Sequence, residues 1–199
     1  MKKAIWTLTA FLMFLLLIFS TAGAQEKVNL AKGAPVKPSI SVEAFGWFAE
    51  YVTDGMREFD EGTPIRGWSS AIRYFYPEIA RENSTQWIKI DLGKVYTLAQ
   101  FDLYPRPDGS NAENYFPIDY VIQVSTDDKA REQEDASDEF WTTVCTVTDA
   151  PHPDAQVQVH AFEPVAARYV RIKATNLRDG GDGYVFQLAE IEDRWITDP

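Results

Sequence analysis

The chain has 199 residues, a formal net charge of -11, one cysteine, and six Trp, nine Tyr and twelve Phe. That length suits one domain whose core is large enough to need no cross-link, and a single cysteine excludes an internal disulfide. The acidic balance argues against nucleic acid, sulfated polysaccharide and anionic membrane, which all reward basic patches; neutral or cationic ligands and divalent cations remain.

The first residues, Met1-Lys2-Lys3, lead into an apolar run from Phe11 to Phe19 and then into Ala22-Gly23-Ala24. Basic, apolar, then small is the order of a secretory signal peptide, predicted here over residues 1–24 with cleavage after Ala24. An uncleaved anchor is the competing reading, but the run is short for a span and no basic stop follows it. No cysteine follows to carry a lipid anchor. Loss of Lys2 and Lys3 with the leader takes the charge from -11 to -13. Residues 25–199 read as one domain that is secreted, periplasmic or held at the cell surface, without membrane insertion.

A strand is predicted around Ile40–Ala44, after Pro38, followed by the aromatic cluster Phe45, Trp47, Phe48 and Tyr51. Thr53 to Ser70 is too rich in turn residues for a regular element. Residues 71–84 read as a long loop with one helical turn. Asn83-Ser84-Thr85 is a glycosylation sequon of little weight beside a bacterial-type leader.

Thr85 to Gly109 is the best-marked stretch. It reads as two strands joined by a tight turn: Trp87, Ile88 and Ile90 lead into Asp91-Leu92-Gly93, and then Phe101 and Leu103 alternate with Asp102 and Tyr104. The second strand stops at Pro105-Arg106-Pro107-Asp108-Gly109. The prolines stiffen the loop, so the Arg106 guanidinium is either a solvated loop cation or a planar donor presented to a ligand's oxygens.

Ser110 to Phe116 is a loop, and Ile118–Ser125 a strand with Ile118, Tyr120, Ile122 and Val124 on one face. Asp127–Glu139 is a charged insertion, read as a solvated loop or short helix and not as a site. Phe140–Val147 is a strand holding Cys145, read as a buried thiol acting as a small hydrophobe. Further strands follow at Val157, Val159 and Ala161 and at Val170, Ile172 and Ala174. A Gly/Asp loop at 179–183 precedes the last strand, which runs to about Trp195. His152 in a turn and His160 in a strand read as surface or structural residues. Many short strands with almost no helical periodicity predict an all-β fold, an antiparallel β-sandwich, with a jelly roll as the favoured version.

These pieces stand in a characteristic order: Asp54-Gly55, Gly67-Trp68-Ser69-Ser70, Trp87-Ile88-Lys89-Ile90-Asp91-Leu92-Gly93, Leu103-Tyr104-Pro105-Arg106, Phe116-Pro117 with Ser125 after it, Trp141-Thr142-Thr143-Val144, Ala167-Arg168-Tyr169-Val170-Arg171-Ile172 and Leu188-Ala189-Glu190-Ile191-Glu192. The set resembles the coagulation factor 5/8 type C (discoidin) domain, in the bacterial version known as the family 32 carbohydrate-binding module. The resemblance runs from about Asn29 to Glu192. It implies a galactose-binding-domain-like jelly roll, a structural calcium ion and a ligand site built from loops at one end. The implied calcium ligands are Asp54, Thr63 and Glu190, with carbonyls near Val52, Met56 and Ala189; Asp60 or Glu61 is an alternative in the lengthened segment before Thr63. The implied sugar site takes Arg106, with Asn111 or Asn114 as amide partner and Tyr184 as stacking platform. Trp47 and Tyr74 line the cleft or pack in the core, and Phe186 belongs to the core. No early histidine is present of the kind that galactose-type sites use.

Three function classes follow. The first is a non-catalytic glycan-binding protein, acting alone or beside an enzyme or cell-surface partner. The second is a protein- or lipid-binding adhesion module of the discoidin type. The third is a glycosidase, for which no motif picks out a carboxylate pair.

Overall fold

Two 19-residue strands form the spine of the computed structural model, which describes residues 28–57, 66–106, 115–154, 157–181 and 183–195. Chain order gives β1 (Val36–Pro38), a 3-10 turn (Ala49–Thr53), β2 (Trp68–Ser69), α1 (Pro77–Ala80) and β3 (Gln86–Tyr104). Then come β4 (Asp119–Ser125), α2 (Asp128–Glu132), β5 (Thr142–Val147), β6 (Gln158–Asn176), β7 (Gln187–Leu188) and β8 (Glu190–Trp195). The predicted leader over 1–24, Thr63 with Asp60 and Glu61, and Asn111 and Asn114 lie outside the described residues. No helix among the described residues is long and apolar enough to cross a membrane.

The stretch read as two strands and a turn is one strand, β3, and that expectation is corrected. Its halves do not pair with each other. Gln86–Asp91 pairs with Tyr169–Ala174, and Tyr96–Leu103 with Gln158–Ala167, both on β6. The register slips between Asp91 and Tyr96, where Asp91 Oδ1 accepts the Gly93 N–H at 2.8 Å. The Asp-Leu-Gly signal therefore marks a bulge that bends a long ribbon, not a hairpin. Likewise, the strands predicted around 157–161 and 170–174 are both parts of β6.

The first half of the ribbon lies in the order β1-β3-β6-β4-β5, and β8 joins the second half of β3. A separate ribbon pairs β2 with β7. All these pairings are antiparallel, and they make the predicted β-sandwich. Its core gathers Trp68, Ile88, Ile90, Phe101, Leu103, Ile122, Ile172, Phe186 and Ile191. The first strand sits at Val36–Pro38 and not at 40–44. Beyond Pro38 the chain leaves the sheet edge, and Val42 N–H is held by the Ser69 carbonyl at 3.1 Å. The last strand is split at Ala189, whose N–H turns to the Tyr104 carbonyl at 2.9 Å.

The charged insertion carries a short helix, one of the two forms read for it, and although most of its residues are exposed it is docked on the sheet. Asp127 caps α2 by accepting the Lys129 N–H, and Ala130 is buried beside Trp141 and Tyr169. Beneath it, the outward face of β3 and β6 carries the buried cations Lys89, Arg171 and Lys173. Lys89 Nζ donates to the carbonyls of Ala130, Arg131 and Gln133, the C-terminal end of α2, where cations are favoured. Asp138 accepts from both Arg171 (2.6 Å) and Lys173. The acidic segment thus neutralises a cationic sheet face, and Trp141 stacks over Arg171 at 4.5 Å.

Burial opposes the charge on Asp138, but hydrogen bonds from Lys173 and Gln123 and the nearby Arg171 outweigh it and hold the carboxyl below its ordinary value. A depressed carboxyl stabilises the fold above its unfolded value of about 3.9, and that contribution is lost as pH falls through the folded value. Hydrogen exchange across residues 127–139 should therefore accelerate below about pH 4, and Asp138→Asn should bring the same loosening to pH 7. Asp138 is 56% exposed, so the expected cost of that variant is modest, about 1–3 kcal/mol. Unchanged exchange in the variant at pH 7 would show that the latch is not electrostatic.

Candidate functional site

The turn Ala44–Trp47 builds one wall of the Arg106 site. Ala44 and Trp47 exchange both backbone hydrogen bonds, at 3.0 and 2.9 Å. The two central residues have positive φ, 55° at Phe45 and 87° at Gly46, the geometry of a type I′ turn. Glycine suits the second position. Phenylalanine in the left-handed region is strained, by about 1–2 kcal/mol, and here its ring is held out to solvent, 75% exposed. Phe48 N–H bonds the Gly67 carbonyl at 2.9 Å, which ties the turn to the start of β2.

Arg106 lies just beyond β3. Its guanidinium carbon is 5.2 Å from the Trp47 ring centre and 6.0 Å from that of Tyr115. Nη1 donates to Gln187 Oε1 at 3.2 Å, and Gln187 Nε2 donates to Ser69 Oγ at 3.1 Å. The β2–β7 ribbon therefore fixes the polar partner of Arg106 from below. Tyr115 is fixed by its hydroxyl, which donates to the Gly180 carbonyl at 3.2 Å; a Cβ on Gly180 would collide with the Tyr115 ring. Trp47, Tyr115 and Gln187 are all buried, so they hold the cation from the side of the core.

An aromatic tier begins on the same turn, Ala44–Trp47. Phe45 packs on Phe75 with ring centres 5.7 Å apart, and Phe75 meets Tyr74 edge-on at 5.0 Å. Tyr74 is 82% exposed. The structure brings together Arg106 and Trp47, and it joins Tyr74 through Phe75 to Phe45 on the turn that carries Trp47. It puts Tyr184 in a different cleft, with Asn83, His152 and Arg178. Phe186 is in the core, as read. Sequence reasoning missed Gln187, Tyr115, Phe45 and Phe75 as site residues. Only Phe45 carried a signal, the Phe-Gly pair at a turn tip.

Of the residues implied for calcium, Asp54 and Glu190 come together at the start of β8, and Thr63 lies outside the described residues. Gly55 N–H donates to Glu190 Oε1 at 3.0 Å. Glu190 Oε2 is buried with no hydrogen-bond partner, and burial pushes the carboxyl up to about 9. Asp54 stands close enough to add to that shift, but its Oδ2 accepts from Arg66 at 2.6 Å and its Oδ1 from Met56 N–H at 2.8 Å. Val52 is buried in the 3-10 turn, Met56 follows Gly55, and Ala189 directly precedes Glu190. No group of three or more His, Cys, Asp or Glu side chains able to hold a metal is found among the described residues. The buried, unsatisfied oxygen of Glu190 fits a hard cation. Asp54 joins it only where Arg66 yields, and carbonyls must complete the set.

His160 is a structural residue, one of the two readings given for it, and it neighbours Cys145, which is half-buried and not the fully buried thiol expected. Tyr120 Oη lies 3.1 Å from His160 Nε2, and Cys145 Sγ lies 3.6 Å from Nδ1. Burial raises the thiol and lowers the imidazole, so both stay neutral.

The family model for the F5/F8 type C domain, described as a NedA-like, galactose-binding domain, matches residues 52–172, over half of the chain. A search of curated proteins gives no match. Among solved structures, chitosan-binding module 1 of a chitosanase/glucanase from Paenibacillus sp. IK-5 is 27% identical, with a TM-score of 0.57 over 83% of this chain and 98% of that one. A Clostridium perfringens module, CpGH89CBM32-5, in complex with GalNAc-β-1,3-galactose is 17% identical, with a TM-score of 0.61 over 83% and 99%. The family 32 module of C. perfringens NanJ in complex with galactose is 16% identical, with a TM-score of 0.60 over 84% and 98%.

Proposed function

The chain belongs to the F5/F8 type C family of NedA-like, galactose-binding domains, and from that premise we propose that it is a secreted, non-catalytic glycan-binding protein whose ligand seats at Arg106. One observation carries the reading: a guanidinium held against Trp47 and Tyr115 and anchored by Gln187, with the exposed ring of Phe45 on the turn that carries Trp47. Sugar hydroxyls need charged or amide partners, and sugar ring faces need an aromatic cover. Arg106, with Asn111 or Asn114 as the amide partner that the resemblance implies, supplies the first, and the aromatic tier the second. No covalent step is required. The galactose and GalNAc-galactose complexes of similar modules support a neutral glycan. The chitosan-binding module adds amino sugars, which an acidic chain tolerates. One site of this kind binds weakly, and display in several copies, or beside an enzyme or cell-surface partner, raises its effective strength.

We also propose a structural calcium ion held by Glu190, Asp54 and Thr63 with the carbonyls of Val52, Met56 and Ala189. The unpartnered Glu190 Oε2 supports it. The ion would supply the positive charge that joins the segment after the 3-10 turn to the first residue of β8.

A glycan array probed with residues 25–199 tests the function. Binding to neutral or amino-sugar glycans is expected; an empty array at millimolar-range avidity would overturn the reading. Phe45→Gly separates binding from folding. It relieves the strained φ, and against the extra chain entropy of glycine the fold should gain about 0–1 kcal/mol. Loss of the ring should weaken glycan binding about 2- to 10-fold. A variant that binds as tightly as the parent would remove Phe45 from the site.

A further inference from the structure

The Gly/Asp loop borders a second cleft. Arg178, Asp179 and Tyr184 line it with Asn83, His152 and Asn176, around a volume of ≈430 Å3. Small-molecule sites occupy roughly 300–1,000 Å3.

Arg178 is the informative residue. Nη2 donates to the Ala150 carbonyl, while Nε is enclosed with no hydrogen-bond partner. Arg66, Arg168 and Arg171, also drawn in from solvent, each hold a carboxylate: Asp54, Asp91 and Asp138. Among the described residues Arg178 holds none, although the chain has 30 Asp and Glu against 19 Lys and Arg. The neighbouring Asp179 carboxylate accepts the Gly181 N–H at 3.0 Å instead. Burial is the one influence on the guanidinium, and it pushes the pKa down. A half-buried cation without a counter-charge is costly, and it sits in the wall of an open cleft.

The other walls suit a sugar. Tyr184 is half-buried, and its backbone is fixed by a hydrogen bond from its N–H to the Ala80 carbonyl at 2.8 Å. His152 is exposed between Pro151 and Pro153, which stiffen its backbone. Asn83 and Asn176 are committed to each other at 2.8 Å and form the wall.

We propose that this cleft is a second ligand site, taking a sugar that carries one carboxylate, with the carboxylate on Arg178, the ring against Tyr184, and His152 as a further hydrogen-bond partner. The acidic chain repels polyanions at long range, so the fitting ligand is a single acidic residue on an otherwise neutral glycan. Uronic and sialic acids share this chemistry. The site goes beyond the Arg106 reading and does not depend on it.

The test is an NMR titration of the parent, Arg178→Gln, Tyr184→Ala and Arg106→Ala proteins. The probes are methyl β-glucuronide, the methyl glycoside of N-acetylneuraminic acid, and methyl β-glucoside as neutral control. At least one acidic probe should bind the parent in the millimolar range and shift Arg178, His152 and Tyr184 signals; which one binds tells uronic from sialic acid. Its affinity should fall about tenfold or more in Arg178→Gln and stay unchanged in Arg106→Ala. Arg178→Gln also gives up the Ala150 bond, so Tyr184→Ala, with the same expected loss, guards against misfolding. The glucoside should leave this cleft unmoved. Absence of binding by both acidic probes would overturn the proposal, as would binding lost in Arg106→Ala but kept in Arg178→Gln. Failure of the Arg106 reading would show separately, on neutral glycans.

Discussion

Trp68→Ala should unfold at a temperature about 6–20 °C below the parent. Trp68 is fully buried where β2 meets β7, with its ring edge-on to Phe186 at 5.0 Å and its Nε1–H donating to the Ile40 carbonyl at 3.1 Å. Truncating a buried Trp costs about 3–5 kcal/mol, and for a domain of this size each kcal/mol moves the midpoint about 2–4 °C. The loss should also reach function. Ser69 and Gln187, which orient Arg106, sit on the two strands that Trp68 and Phe186 glue together. Trp68→Phe keeps most of the ring contact and leaves the Ile40 carbonyl unpaired, so its cost should be about 1–3 kcal/mol. A shift under 2 °C in Trp68→Ala would mean that the ribbon is not part of the cooperative core. Scanning calorimetry decides it.

Saturating calcium should raise the unfolding temperature of the parent by about 5–10 °C and leave Glu190→Gln unmoved. A ligand that binds only the folded state at a hundredfold excess over its Kd adds about 2.7 kcal/mol, which the same scaling converts to that shift. Glu190 is the pivot because its Oε2 is buried and unsatisfied, a state that burial favours only as the protonated acid. Glutamine is nearly isosteric and neutral, so the metal-free variant should be at least as stable as the metal-free parent. An equal gain in both proteins would move the ion elsewhere, and no gain in the parent would remove it. Arg66 holds Asp54 at 2.6 Å, so Arg66→Ala should lower the calcium concentration needed by freeing that carboxylate.

What the sequence disclosed follows from which forces act locally. The alternation of Phe101 and Leu103 with Asp102 and Tyr104 marked strand structure, because period two is a property of one chain segment. It did not disclose the partner: Gln86 pairs with Ala174 and Leu103 with Gln158, far along the chain, so a bulge and a hairpin turn read alike around Asp91-Leu92-Gly93. The docked insertion was illegible for a related reason. Lys89, Arg171 and Lys173 alternate with Ile88, Ile90, Val170 and Ile172, which reads as a solvent face, and the acids that cover them come from residues 127–139. Arg106 and Trp47 were legible as candidates through Pro-Arg-Pro and the aromatic cluster. Gln187 was not, since a single glutamine in an apolar run gains meaning only from β2 beside it. Tyr184 stood out as an aromatic after the Gly/Asp loop, but that position did not say that its cleft is lined by Asn83, His152 and Arg178, which come from distant parts of the chain or gain meaning only beside them.

The most direct measurement is calorimetric titration of a glycan selected from the array into the parent protein and into Arg106→Ala, with the unfolding temperature of both recorded. Hydrogen bonds to a charged group contribute about 1.5–3 kcal/mol, so affinity should fall roughly 10- to 150-fold while the unfolding temperature changes little. Affinity within twofold of the parent, in a variant that still folds, would contradict the account and move the glycan away from Arg106.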